Sequence, residues 1–364
     1  MDLSSEIRKL KKITERKVYI DFLKIIAIYM VLFNHTGIDG FVLFTVARTS
    51  KLYPLYLFNS IFIKIAVPLF LMTSGALLLN KKETYKDLMK KRFLKYLFIL
   101  ILGSVIAYLY TCLRINPQKI SVIQFLELLY TSHVSTAYWY LYMYLAYILI
   151  LPLLRKMAIC MTEKEYKWMF LIYGIVQSLT IIDFILWKGE KVHNPNFSVF
   201  ITSNYIFYPL MGYYMEHKMK EKQFNLRGGV ILSIISLIAI TLCCFMTHYK
   251  CVLTDKWTEN TCQTFFNTLI FLPTITVYYI SKMWFLNHTY NEKIYKLITI
   301  VGGTTFGIYL IEQICRKETK FVFIYLQPYI HTLPACLVWI LIACIAGGVV
   351  VLLFKQIPGV KKFL

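Results

Sequence analysis

Ten apolar stretches of roughly 17–23 residues run through this chain of 364 residues, each about the length a helix needs to cross the hydrocarbon core of a bilayer. They cover 18–36, 58–79, 96–113, 138–154, 166–186, 197–214, 229–247, 264–285, 297–315 and 334–354. A further apolar stretch, 120–131 (ISVIQFLELLYT), is too short to cross and reads as an interfacial helix or a re-entrant piece. No internal repeat, low-complexity tract or segment large enough for a separate soluble core interrupts the series. The expected fold is all-α, a polytopic integral membrane protein with about ten transmembrane helices. Residues 1–17 read as a basic cytoplasmic segment, 18–354 as the transmembrane domain and 355–364 as a cytoplasmic tail. The first apolar run carries Asp21 and Lys24, and no small-residue cleavage site follows it, so it reads as a retained span rather than a signal peptide.

Composition fits that class: 58% of residues are hydrophobic and only 16% charged, which argues against an ordinary globular enzyme. The net charge of +21 raises the question of nucleic acid. The basic residues, however, sit in short runs between apolar segments, and the tyrosines and phenylalanines lie inside those segments. A nucleic-acid surface would pair a basic groove with exposed aromatics, so no nucleic-acid partner is expected. Lysines and arginines orient a membrane protein instead. With the N-terminus inside, 27 of them fall on cytoplasmic segments against 11 on outer loops, which puts both termini in the cytoplasm.

The nine cysteines show no metal-ligand spacing, and no metal site is expected. Most lie in or beside apolar segments, where a free Cys acts as a small apolar side chain. Cys251 and Cys262 share one loop, and whether they pair is left open by the sequence.

The first apolar segment also carries the best functional clue. A lysine within a span costs roughly 2.5–3.5 kcal/mol on insertion scales, and such residues face a bundle interior or a cavity. Lys24 and His35 are eleven residues apart, within about 20° of three whole turns, so they share a helix face some 16 Å apart along the axis. Asp21 lies one turn before Lys24 on nearly the same side. In the predicted orientation Lys64, Glu312 and Asp183 reach depths like that of His35, in the outer half. Four ionisable groups from four helices then point to a polar cavity open to the outside. His35 has the chemistry of a general base, with Glu312 available to orient the imidazole and stabilise its charged form. The bland alternatives are an interfacial His, a Glu312 paired with Lys64 or Arg316, a snorkelling Lys64 and a solvated Asp183. On the cytoplasmic side, Arg92 and Lys95 stand one turn apart at the start of the third span, in NKKETYKDLMKKRFLKYL, where they either set topology or clamp an anion.

These features together resemble acyltransferase family 3, the membrane O-acyltransferases that modify bacterial cell-surface glycans. YIDFLKIIAIYMVLFNHTG is similar to the family's first helix, in which a basic residue, ten intervening residues and a His recur, matched by Lys24 and His35. PLFLMTSGALLL resembles its second helix through Ser74 and Gly75, and KKRFLKYL its basic pair through Arg92 and Lys95. STAYWYLYMYLAYILILPLLRKM resembles an aromatic-rich helix, with Trp139 and Pro152 in place, and FGIYLIEQI resembles a late helix. The resemblance spans 18–315. Two positions depart from it: Lys95 stands where Arg is common, which weakens any bidentate phosphate contact, and Glu312 stands where many members carry His, so that role does not carry over.

The resemblance implies a bacterial plasma-membrane enzyme that uses cytoplasmic acyl-CoA, most often acetyl-CoA, as donor substrate, with no tightly bound cofactor. The acceptor would be a hydroxyl of a surface or lipid-linked glycan. The CoA phosphates would lie near Arg92 and Lys95. The acyl arm would pass Asp21 and Lys24 toward His35, with Lys24 or Lys64 near the developing oxyanion and Trp139 in the substrate path. Ser74 is a possible acyl carrier, although a small residue for helix packing accounts for it equally simply. Acyl group, acceptor identity and oligomeric state are not readable from the residues. The competing function is a transporter or flippase for a glycan or lipid-linked intermediate, which fits the helices and cavity but gives no reason for an anion site at the cytoplasmic mouth.

Overall fold

The computed structural model describes residues 17–117, 119–188, 190–197, 202–259, 265 and 267–359, and among these every regular element is helical. In lipid no water satisfies a bare N–H or C=O, and a helix satisfies both within its own segment. In chain order the helices are α1 (Val18–Asn34), α2 (Tyr53–Leu78), α3 (Tyr85–Ile115), α4 (Val122–Thr131), α5 (Trp139–Cys160), α6 (Glu163–Trp187) and α7 (Asn204–Tyr213). A π-helical turn, Tyr214–Lys218, continues α7. There follow α8 (Leu226–Thr254), α9 (Phe271–Asn287), α10 (Glu292–Gly302), α11 (Thr305–Leu310), α12 (Glu312–Glu318), α13 (Lys320–Leu326) and α14 (Thr332–Phe354).

The chain is an all-α, multi-pass membrane protein, and the expected count of about ten crossings is not confirmed by helix length and composition. Six helical stretches are long and apolar enough to cross a membrane: α2, α3, Val122–Cys160, α6, α8 and α14. A seventh is gained if Glu292–Leu310 and Glu312–Leu326, bent by 87° at a break, form one broken span. Helices α1, α7 and α9 fill the other apolar segments but have only 17, 10 and 17 residues. Local backbone events mark the C-terminal ends of α1 and α7. Beyond the end of α1, Gly37 takes a positive φ of 58°, and α7 passes into its π turn at Tyr214. The short stretch at 120–131 forms α4, which exposes Val122, Ile123, Leu126 and Tyr130 and is tied to α3 by the Tyr108 hydroxyl, 3.1 Å from the Ser121 carbonyl.

Helix α1 is the axle of the bundle and packs against α2, α9, α10, α11 and α14. Lipid tails are as apolar as leucine, so close packing and interhelical hydrogen bonds must hold such helices together. Both are present. Gly75 on α2 and Gly212 on α7 face each other's backbones: a Cβ on either would come within 2.0 Å of the carbonyl oxygen of Pro209 or Met72. The Ser236 and Thr276 hydroxyls join α8 to α9 at 2.7 Å, and the Tyr29 hydroxyl donates to the Leu337 carbonyl at 3.0 Å, joining α1 to α14. Near the start of α1, buried Glu216 binds Lys17 and, at 3.3 Å, Lys282, so one carboxylate ties the ends of α1, α7 and α9.

Candidate active site

Helix direction defines two ends of the bundle. Lys17, Arg92, Arg155 and Lys282 lie at the basic end; His35, Lys64 and Trp139 lie at the far end, because α1 leaves the basic end while α2 returns to it and α5 runs back to Arg155. A single cavity of about 570 Å³ reaches from one to the other. Asp21, Lys24 and Arg92 line it at the basic end, Ser74 in the middle, and His35, Lys64 and Trp139 at the far end. Asp21 and His35 are fourteen residues apart on α1, so the cavity runs about 20 Å along the bundle.

His35 caps the C-terminus of α1, its backbone N–H bonded to the Leu32 carbonyl at 3.2 Å. Its Nδ1 lies 3.4 Å from Glu312 Oε1, an ion-pair distance, and neither atom has a hydrogen-bond partner among the described residues. The other carboxylate oxygen is 3.3 Å from Arg316 Nε, one turn further along α12. Glu312 is 1% exposed, a depth at which a carboxylate persists only when paired. With Nδ1 turned to Glu312, the imidazole presents Nε2 to the cavity.

Glu312 reaches His35 because the ninth predicted span is not continuous. At Ile311 (φ −112°, ψ 16°) the backbone leaves the helix, and α12 starts at Glu312 on a new axis. The freed Leu310 carbonyl accepts from the Tyr138 hydroxyl at 2.7 Å, and the Tyr309 hydroxyl donates to the Ala137 carbonyl at 2.6 Å. A broken helix survives at membrane depth where neighbouring protein groups satisfy its backbone in this way.

The same construction recurs at the basic end. Arg92 lies in a π-helical turn, Met89–Phe93, a distortion frequent at functional sites. Glu83 takes its Nε at 2.9 Å and its Nη2 at 2.6 Å, leaving Nη1 for the cavity. Behind them Arg155, 7% exposed, gives Nη2 to Glu83 at 2.7 Å and Nε to the Leu78 carbonyl at 3.1 Å. Hydrogen bonding from Arg92, supported by Arg155, holds the Glu83 carboxyl far below the usual range, at about 2. Two guanidiniums on one carboxylate leave this end with a surplus positive charge.

Of the remaining candidates, Asp21 and Lys24 form an ion pair at 3.3 Å with Gly302 pressed against Asp21. Lys64 Nζ sits 3.8 Å from Glu259 and 4.3 Å above the Phe41 ring. Lys95 is half-buried but is not part of the cavity lining. Asp183 is elsewhere, bound to His193 at 2.7 Å and apart from His35. Cys262 lies outside the described residues, so its pairing with Cys251 does too.

The sequence also hid several lining residues. Glu83 and Arg155, 72 positions apart, stand behind the lining and hold Arg92 in place. Tyr96, Tyr140 and Tyr144 form an aromatic wall between Arg92 and Trp139, with ring centroids of Tyr96 and Tyr144 4.9 Å apart. The four-residue spacing of Tyr140 and Tyr144 was the available signal. Asn34, Asn204 and Asn267 line the far end.

A helical membrane bundle with a cavity running through it, with a carboxylate-backed histidine at one end and a carboxylate-backed arginine at the other, belongs to the class of multi-pass membrane proteins with a site inside the bundle. Residues 17–354 match the acyltransferase domain that defines acyltransferase family 3, nearly the whole chain, and the protein belongs to that family. It is a membrane acyltransferase. No curated protein and no solved structure matches it significantly.

Proposed function

We propose that the protein transfers an acyl group, most simply acetyl, from cytoplasmic acyl-CoA to a hydroxyl of a cell-surface or lipid-linked glycan across a bacterial plasma membrane. The observation that carries this proposal is the continuity of the cavity between a surplus of positive charge at Arg92 and an imidazole at His35. The donor's phosphates suit the basic end, which the lysine and arginine bias assigns to the cytoplasm. An extended acyl-pantetheine arm suits the tyrosine-walled middle.

At the far end His35 Nε2 removes the proton of the acceptor hydroxyl as its oxygen attacks the thioester carbonyl. The tetrahedral intermediate then expels the CoA thiolate, and the imidazolium returns the proton to that sulfur. Glu312 fixes the tautomer and balances the imidazolium. Lys64, at the depth of His35, is the cation suited to the oxyanion. Lys24, about 16 Å away along α1, guides the donor instead. A direct attack needs no acyl-enzyme, and Ser74 next to Gly75 is then a packing residue.

The test is acyl-CoA turnover by the purified protein, with and without glycan acceptors. Replacing His35 by alanine is expected to slow transfer about 10²–10⁴-fold. Full transfer by that variant would remove His35 from the chemistry.

A further inference from the structure

The two ends of the cavity differ in charge. At the basic end Arg92 and Arg155 share one carboxylate. At the far end Arg316 and Lys64 face different acids, Glu312 and Glu259. Among the described residues, the polar and aromatic side chains that line the far end beside them, Asn34, Asn204, Asn267, Trp139 and Tyr205, are uncharged. Topology brings them together, since Trp139 opens α5, Asn204 and Tyr205 open α7, Asn34 closes α1 beside His35, and Asn267 precedes α9.

Asn204 is held in one orientation. The buried Tyr173, stacked on Phe207 at 3.6 Å between centroids, donates its hydroxyl to Asn204 Oδ1 at 2.5 Å. With that oxygen used, the amide presents the two N–H groups of Nδ2 to the cavity that Asn204 lines. Fixed amide donors beside indole and phenol rings match a ligand with many hydroxyl oxygens and apolar C–H faces, and they offer no surplus charge to an anion.

We propose that this mouth is the acceptor subsite for an uncharged sugar, as opposed to a phosphate- or carboxylate-bearing polymer, and that Asn204 is a specificity-determining residue in it. The word acceptor rests on the acyltransferase function proposed above; the preference for a neutral polyhydroxyl ligand rests on the far-end residues themselves.

Two measurements on the full-length protein in lipid nanodiscs separate these points. Calorimetric titration without donor, using neutral trisaccharides of glucose, galactose and N-acetylglucosamine and oligomers of glycerol phosphate, reads binding alone. At least one neutral trisaccharide is expected to bind at least tenfold tighter than glycerol phosphate. Asn204→Ala and Asn204→Asp are each expected to weaken that binding about tenfold, the loss of one hydrogen bond. The Asp variant keeps an oxygen for Tyr173 and so preserves the fold contact while removing the N–H donors. Tighter binding of glycerol phosphate, no binding of any neutral sugar, or wild-type binding by Asn204→Asp overturns the subsite. Acyl-CoA-dependent transfer to the same acceptors is then measured. Sugar binding without transfer would sink the acyltransferase mechanism and leave the subsite standing; transfer with equal use of glycerol phosphate would do the reverse.

Discussion

His35 and Arg92 face one cavity from opposite ends, and each is held by a glutamate that an arginine behind it holds in turn: Glu312 with Arg316, and Glu83 with Arg155. A single carboxylate would leave each of these side chains free to swing; a carboxylate anchored from behind fixes its direction. Replacing Glu312 by glutamine removes the carboxylate charge that faces His35, and under the proposed mechanism kcat is expected to fall about 10²-fold or more with the KM for acyl-CoA little changed. Steady-state kinetics at saturating acceptor check this, and an unchanged kcat would make the 3.4 Å contact structural only. For Glu83, the folded-state value near 2 lies below the ordinary 4.5, so its stabilising effect is complete above about pH 4.5 and is lost as pH falls from there through 2. Acid-unfolding curves of Glu83→Gln should therefore be flatter than wild type across that window, with no difference in slope above pH 5.

At the scale of helices, breaks and close crossings matter more than apolar length. The α2–α7 crossing depends on Gly75 and Gly212, since a Cβ on either meets a backbone carbonyl that has no rotamer to move away. Gly75→Ala or Gly212→Ala is expected to destabilise the bundle by at least about 1–3 kcal/mol, read as a lower Tm of the detergent-solubilised protein. A Tm equal to wild type in both would mean that the crossing opens freely. The break at Ile311 is what brings Glu312 to His35. It was hidden in the sequence because FGIYLIEQI contains neither proline nor an interior run of glycines to mark it. The Tyr138 hydroxyl that caps the break comes from another helix, 172 positions away. Likewise Lys17 and Lys282 counted toward orientation, yet Glu216 turns them into ties between helix ends.

Across the whole molecule, the proposed transfer depends on the cavity being continuous and on which side each end faces. Ser74 lines its middle with space in front of it. Ser74→Ala is expected to retain transfer, whereas Ser74→Phe should block it while the protein still elutes as a folded species on size exclusion; loss of transfer in the alanine variant would point to an acyl-enzyme instead. With the basic end in the cytoplasm, green fluorescent protein fused after Leu364 should fluoresce, and alkaline phosphatase inserted at Ile38 should be active. The opposite pattern would reverse the direction of transfer.

The sequence by itself determined the membrane class, the helical segments and the Lys24–His35 face, because hydrophobic length and helical period are local properties that each segment carries alone. The same locality limits it. Which charges pair, where a span breaks and which residues close on one cavity are decided by neighbours far apart in the chain. Only the packed bundle joins Glu312 to His35 and Arg155 to Glu83, sends Asp183 to His193 and leaves Lys95 outside the lining. In a medium that offers a buried charge no water, partner choice is settled by whichever opposite group the tertiary structure brings within reach.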